Sequence, residues 1–294
     1  MVGKSNWLWR VVFLAAPISV FSLLVLWPLF SSFFYSFTNW NGFNPNYKFI
    51  GFDNYAKIFT DRLFLNAIIN TFIWMVAAIM LPTLLGLGFA LLIDSKVPGG
   101  KIFKSIFYLP ICLSAVVVGQ IWTWIYQPDW GLLNTLINFF LSEEINYPWL
   151  AKPDTSLGSV IVAWSWQQTG LSMVIYLAGL TSISEELLEV CEIEGTNTWQ
   201  KIRMVLIPLL TPATVVVIAL SVINSLKGFD ILYIMTGGGP FHSSDTLAMH
   251  MYNESFKKYL MGYGSAISVV LFLLALIIIR IYFRELKRID DIYG

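Results

Sequence analysis

The chain has 294 residues, of which 57% are hydrophobic and 12% charged, with 18 basic against 18 acidic side chains and a mean hydropathy of +0.69. So little polar surface excludes a soluble globule and points to a membrane-embedded protein. A formal charge of zero leaves neither a basic field for nucleic acid nor an acidic tail.

From the N-terminus, residues 11–37 form a nearly uncharged run, longer than the ~20 residues a bilayer crossing needs, with Pro17 and Pro28 inside it. Lys4 and Arg10 precede it, but the run exceeds a signal-peptide core and no small-residue cleavage site follows, so it reads as an uncleaved anchor. A polar segment with turn chemistry at Asn41-Gly42 and Asn44-Pro45 comes next and contains Ile50-Gly51-Phe52-Asp53-Asn54-Tyr55. Residues 67–93 are the second expected span, where Pro82, Gly86 and Gly88 suit a kink or a close helix contact. The polar turn at 94–101 holds Gly100-Lys101. It lacks a glycine five residues before Gly100 and a Ser or Thr after the lysine, so the chain cannot bind ATP by a phosphate loop there. Residues 102–127, broken by Pro110, and 157–183 are the third and fourth spans, separated by an aromatic outer loop with Trp130 and Trp149.

Residues 184–208 are a charged island between apolar runs. Ser182 and Glu185 have capping-box spacing, and the helix that follows puts Glu185, Glu189 and Glu192 on one face, with Leu187, Val190 and Cys191 opposite. Gly195 suits the left-handed residue that closes such a helix. Thr196 or Asn197 can cap a second one, expected to stop before Pro208. A helix lying on the membrane surface is the alternative, but such helices favour Lys and Arg, whereas Glu185, Glu186, Glu189, Glu192 and Glu194 favour docking to a protein. The fifth span, 209–236, opens at Thr211-Pro212 and is ended by Gly237-Gly238-Gly239-Pro240; Lys227 and Asp230 read as a local ion pair near its outer end. The last span, 264–284, is introduced by Gly262-Tyr263-Gly264-Ser265-Ala266.

Both ends and the charged island fall on the side that collects Lys4, Arg10, Lys96, Lys101, Lys104, Lys201, Arg203, Arg280, Arg284, Lys287 and Arg288, so that side is expected to be cytoplasmic. Ser165, Gln168, Thr169 and Ser172 make one polar stripe on the fourth span, and Ser221, Asn224, Ser225 and Gly228 make another on the fifth. Taken singly, such residues commonly join helices; as two facing stripes they suit a neutral cavity wall for a polyhydroxylated solute, with Trp164, Trp166 and Tyr233 near enough to stack on a sugar. Cys112, Cys191, His242 and His250 have no metal-ligand spacing, and no acid-base pair or nucleophile constellation of a membrane enzyme is present.

Four of these stretches resemble the inner-membrane permease subunits of carbohydrate-uptake ABC importers, the binding-protein-dependent, maltose and glycerol-phosphate permease-like family. Glu189-Val190-Cys191, Gly195 and Val205-Leu206-Ile207-Pro208 keep the spacing of that family's signature loop, Glu-Ala-Ala, then Gly, then Ile-x-Leu-Pro, with two bulkier residues for the alanines. Ile50 to Tyr55 is similar to the Gly-Leu-x-Asn-Tyr box before the second span. Met235 to Pro240, followed by Thr246, is similar to the Thr-Gly-Gly-Gly-Pro stretch after the fifth, and Gly262 to Ala266 opens the last. The resemblance implies an all-α integral membrane protein, one permease domain over 1–294 with six transmembrane helices and a cytoplasmic coupling helix in the 184–208 loop. It implies a bacterial or archaeal plasma (inner) membrane, both termini cytoplasmic, a second homologous permease, two ATPase subunits and an extracytoplasmic solute-binding protein. Glu185, Glu186, Glu189, Glu192, Glu194 and Gly195 would couple to the ATPase; ATP and Mg would sit on the partners, with no cofactor and no catalysis in this chain. An ion-coupled secondary transporter is the alternative, but it calls for intramembrane carboxylates or histidines, and the spans hold little beyond Asp230 at an edge.

Overall fold

The computed structural model describes residues 4–95, 98–142, 144–226 and 228–293. Among these no β-strand forms, and Thr38 and Phe49 make a single antiparallel bridge. Helix α1 (Lys4–Phe21) passes through a π turn, Ser22–Leu26, into α2 (Trp27–Tyr35). Pro28 explains the turn. It has no N–H to give the carbonyl four residues back and its ring crowds that carbonyl, so the Trp27 N–H donates instead to Ser22 O, five residues back. Gly51, at φ +61°, makes the left-handed step that leads into α3 (Asp53–Thr60). Helix α4 (Arg62–Asp94) carries Pro82 without a break in its helical assignment.

The expected third span breaks at Pro110, as predicted. Helix α5 (Gly100–Tyr108) gives way at Pro110 to a short 3₁₀ segment, Leu109–Cys112, and α6 (Ala115–Ile125) leaves at 108° to it. Ser114 caps the new helix, its hydroxyl accepting the Val117 N–H. Helix α7 (Leu132–Leu141) lies in the following polar segment, and α8 (Pro153–Thr181) covers the expected fourth span. After α8 the chain turns by 77° into α9 (Glu185–Ile193), then runs through α10 (Thr198–Gln200), a π turn Lys201–Leu206 and α11 (Ile207–Leu209), and turns by 67° into α12 (Thr211–Leu226). The second helix therefore does not stop before Pro208. The π turn repeats the device at Pro28: the Ile207 N–H donates to Ile202 O, which lets the helix continue past a proline. The expected fifth span is divided near Gly228, where α13 (Phe229–Met235) begins. Helices α14 (Leu247–Tyr252) and α15 (Met261–Tyr293) complete the chain. By length and composition three helices can cross a membrane (Phe13–Tyr35, Arg62–Asp94 and Met261–Arg284), or up to six if each bent pair counts as one span. Lys96 and Lys227 lie outside the described residues, and with Lys227 the expected pairing to Asp230.

The chain divides into two compact units, Met1–Leu65 with His250–Ile277, and Asn66–Met249 with Ile278–Gly294. In the first, the Ile50–Tyr55 stretch pins the end of α2. The buried Asn54 amide donates to the Ser36 and Thr38 carbonyls, each at 2.8 Å, and the Tyr55 hydroxyl lies 2.7 Å from Ser36 Oγ. Gly262 lets α15 close on this segment, its N–H donating to Trp40 O at 2.8 Å; a methyl there would overlap the Thr38 carbonyl oxygen. In the second unit one apolar cluster gathers Trp74, Val118, Trp164, Ile231 and Leu232, and another Met173, Tyr176, Leu210 and Val217. Gly86 makes the close approach of α4 to α8, since a methyl on it would stand 2.5 Å from Ser172 Cβ, whereas Gly88 has nothing within 4 Å.

Candidate functional site

The acidic hairpin is built as sequence chemistry asks at its turn and differently at its start. Helix α9 begins at Glu185 with Ser184 in the capping position, and no side chain closes it; the Ser182 hydroxyl instead donates to Gly179 O at the end of α8. At the other end Gly195 takes φ +71°, its N–H donates to Glu192 O, and the Thr196 N–H donates to Cys191 O, the paired bonds of a Schellman turn. Asn197 then opens the second arm with a reciprocal cap: its side chain accepts the Gln200 N–H at 2.8 Å and its own N–H donates to Gln200 Oε1 at 2.9 Å. Lys201 reaches back to Glu192 at 3.4 Å, an exposed pair that contributes well under 1 kcal/mol, roughly, to stability.

The burial of α9 differs from the expected two faces. Cys191 turns inward and the half-buried Leu188 packs against the apolar cluster around Met173 and Leu210, while Leu187 and Val190 stand exposed with Ile193, which is 84% exposed. Glu185, Glu186, Glu189, Glu192, Glu194 and Gly195 are all exposed. Trp199 and Met204 on the second arm are exposed as well. The hairpin thus offers carboxylates and apolar side chains on one small surface, tethered by Cys191 and Leu188.

The two polar stripes meet. Ser165, Gln168, Thr169 and Ser172 of α8 and Ser221 and Ser225 of α12 are buried, and the Asn224 amide donates to Gln168 Oε1 at 3.1 Å across the two helices. The hydroxyls serve local needs: Thr169 donates to Ser165 O at 2.6 Å, Ser225 to Val222 O at 2.8 Å, and Ser172 packs under Gly86. Gly228 faces Trp74, whose Nε1 donates to Ser225 O at 3.0 Å. Of the aromatic rings near the stripes, Trp164 is buried against Trp74 with centroids 5.4 Å apart, Trp166 meets Trp122 edge-on and Tyr233 stacks on Phe229, so Trp164 offers no free face. Buried Ser165 Oγ, Trp164 Nε1, Trp122 Nε1 and Gln167 Oε1 find no hydrogen-bond partner among the described residues. Sequence reasoning missed Trp74 and Trp122 because tryptophans inside apolar runs carry no signal that separates packing from polar work. Among the described residues no cluster of His, Cys, Asp and Glu suits a metal.

A helical chain with several helices long and apolar enough to cross a membrane, neutral polar groups buried between two helices and an exposed acidic hairpin has the construction of a membrane transport subunit. Residues 82–288 match the family of binding-protein-dependent transport system inner membrane components. The chain is 35% identical over 272 residues, 92% of its length and 93% of the relative's, to a "probable ABC transporter permease protein" of Pyrococcus horikoshii. It is 30% identical to the multiple sugar-binding transport system permease protein MsmF of Streptococcus mutans, covering 92% of each chain. Against the trehalose/maltose transport system permease protein MalF of Thermococcus litoralis it is 28% identical, over 91% of this chain and 90% of that one. Among solved structures, a chain of a bacterial alginate ABC transporter in complex with an alginate pentasaccharide-bound periplasmic protein superposes with a TM-score of 0.83 at 21% identity, covering 97% and 96% of the two chains. The chain belongs to the inner-membrane permease family of binding-protein-dependent ABC transporters.

Proposed function

We propose that the chain is the translocation-pathway subunit of an ATP-driven importer for a sugar, oligosaccharide or glycosylated polyol. On this reading it is one permease domain with six spans, each bent helix pair making one crossing, and both termini face the cytoplasm. It works with a second homologous permease, two ATPase subunits that carry ATP and Mg, and an extracytoplasmic solute-binding protein, and it is itself non-catalytic. Helix α9 is the coupling helix: Glu185, Glu186, Glu189, Glu192, Glu194 and Gly195 engage the ATPase, whose closure on ATP tilts α8 and α12 and alternates the opening of the path between them. The observation that carries the reading is the exposure of Leu187, Val190 and Ile193 beside these glutamates on a helix closed by Gly195. Exposed apolar side chains on a short acidic helix suit a protein groove, not an anionic leaflet.

The carbohydrate class is supported by the names of the relatives and by the chemistry of Ser165, Gln168, Thr169, Ser172, Ser221, Asn224, Ser225 and Gly228, which supplies amides and hydroxyls without a charge to match. The test is Gly195→Trp in the assembled transporter in proteoliposomes. Tryptophan strains a backbone at φ +71° that glycine adopts freely, so the variant should insert normally yet lose ATP-driven, vanadate-sensitive uptake. Normal uptake by that variant would sink the assignment.

A further inference from the structure

The elbow between α4 and α5 holds a cleft that the transport reading leaves unused. This cleft of about 160 Å³ is lined by Phe89, Leu92 and Ile93 from α4 and Gly100, Phe103 and Phe107 from α5, with no polar group on its walls. That is below the range of whole small-ligand sites but has room for part of a hydrocarbon chain, which a lining of carbon alone suits. Phe89 and Phe107 form its floor with ring centroids 4.2 Å apart.

The rim has a different character. Helix α5 is amphipathic: Lys101, Lys104 and Ser105 share one side, and Ile102, Phe103, Ile106 and Phe107 occupy the rest. Lys101 and Lys104 are exposed, lie one turn apart, and form no ion pair with any described residue. Asp94, at the end of α4, is the acidic residue nearest in sequence. Gly99, at φ +86°, starts the helix without a side-chain cap, which adds the positive end of the helix dipole to the same rim. A short basic amphipathic helix beside a hydrocarbon-lined cleft has the two halves of a phospholipid's chemistry.

We propose that this cleft binds one acyl chain of an anionic phospholipid, with the phosphate held by Lys101 and Lys104. The inference requires only that the chain be membrane-embedded, so its failure would leave the transport reading intact. The test uses the full chain purified in mild detergent, native mass spectrometry, and added phosphatidylglycerol or phosphatidylcholine of identical acyl chains. Each lysine near an anionic headgroup contributes about fivefold in affinity, so phosphatidylglycerol should be retained roughly twenty-five-fold better, and Lys101→Gln with Lys104→Gln should bring the two lipids near parity. Gly100→Leu, whose Cβ would stand 3.6 Å from Ile93 Cγ2, should reduce retention with both lysines intact, whereas Gly88→Leu, with nothing within 4 Å, should not. Equal retention of both lipids by the unaltered chain would overturn the proposal, as would a Gly100→Leu variant that binds normally. Loss of the lipid when the chain is assembled with its other subunits would assign the cleft to a polypeptide and overturn it too.

Discussion

Replacing Gly228 with Ala should unseat Trp74. Gly228 has φ −70° and ψ 14°, a conformation open to alanine, so the backbone contributes little to the cost. The added methyl would overlap Cζ2 of the indole and stand 2.9 Å from its Cε2 and 3.0 Å from its Nε1. The ring is held on both sides, by its hydrogen bond to Ser225 O at 3.0 Å and by Trp164 with centroids 5.4 Å apart. Keeping the ring in place overpacks the cluster, at about 1–3 kcal/mol. Swinging it away strands a buried N–H, at about 1–3 kcal/mol. These are alternative ways to relieve one clash, so the cheaper one sets the loss, about 1–3 kcal/mol, not their sum. Unfolding of the purified chain in detergent would be followed for Gly228→Ala, Trp74→Phe and the double variant. Phenylalanine lacks the atoms that clash, so Gly228→Ala should cost little in the Trp74→Phe background, giving a coupling energy of about 1 kcal/mol or more. Equal destabilisation in both backgrounds, or none in either, would refute the packing role assigned to Gly228.

Asn224→Ala and Gln168→Ala each remove the link between α8 and α12, a loss of about 1 kcal/mol, and should lower solute uptake while leaving assembly intact; unchanged uptake by both would reduce these residues to helix joiners. Burial acts to raise the Asp61 carboxyl, but the Tyr263 hydroxyl at 2.8 Å, the Leu63 and Phe64 N–H groups and the nearby His250 outweigh it and hold the group below its ordinary range. A depressed carboxylate stabilises the fold above its unfolded pKa and loses that contribution as pH falls through the lower folded value. Tyr263→Phe should therefore cost about 1.5–3 kcal/mol near neutrality, with the difference from the unaltered chain shrinking below about pH 4; a difference that holds constant into acid would show that the tyrosine acts only by packing. Pro208→Ala restores an N–H opposite the Met204 carbonyl and should let the Lys201–Leu206 π turn relax to α geometry, turning the acidic hairpin by about 100° against α12. Hydrogen exchange at residues 202–208 and uptake should both change; if neither does, the proline is not what sets the π turn.

What could be read in the sequence was the local chemistry whose answer does not depend on distant neighbours. Gly195 as a left-handed helix end, Thr196 or Asn197 as a cap and Thr211-Pro212 as a helix start all follow from one residue and its immediate flanks; in the structure Gly195 is left-handed, Asn197 is the cap, and the helix starts at Thr211, whose hydroxyl donates to Pro208 O instead of capping. The hairpin's start did not follow, because Ser182 found the Gly179 carbonyl a nearer partner than the next helix. The same limit applies to Pro28, Pro110 and Pro208. One residue type produced two π turns and, at Pro110, a 108° bend, since the outcome depends on whether the preceding N–H can reach a carbonyl five residues back. The polar stripes were legible as stripes, but which groups are occupied by other partners was not. That Ser172 lies under Gly86 and Gly228 under Trp74 is decided by α4, which no spacing within α8 or α12 reports.

The amide side chains sharpen the distinction between holding a structure and serving a path. Asn54 donates to two carbonyls, Ser36 and Thr38; Asn70 donates to two, Ser243 and Asp245; Asn134 donates to Pro128 and Tyr147 and accepts the Trp149 indole N–H. Each clamps a loop by using both hydrogens of its amide, as a buried amide must if it is to offset its own desolvation. Gln168 and Asn224 do not follow that pattern. They share one bond, from Asn224 Nδ2 to Gln168 Oε1, with Asn224 only half-buried, and neither side chain makes a second hydrogen bond to a described residue. A pair whose sole purpose was to join α8 to α12 would do so better with its remaining groups satisfied. On the proposed reading, a donor and an acceptor left over in a neutral wall would match the donor and acceptor of a solute hydroxyl, and uptake by Gln168→Ala and Asn224→Ala decides between path and clamp.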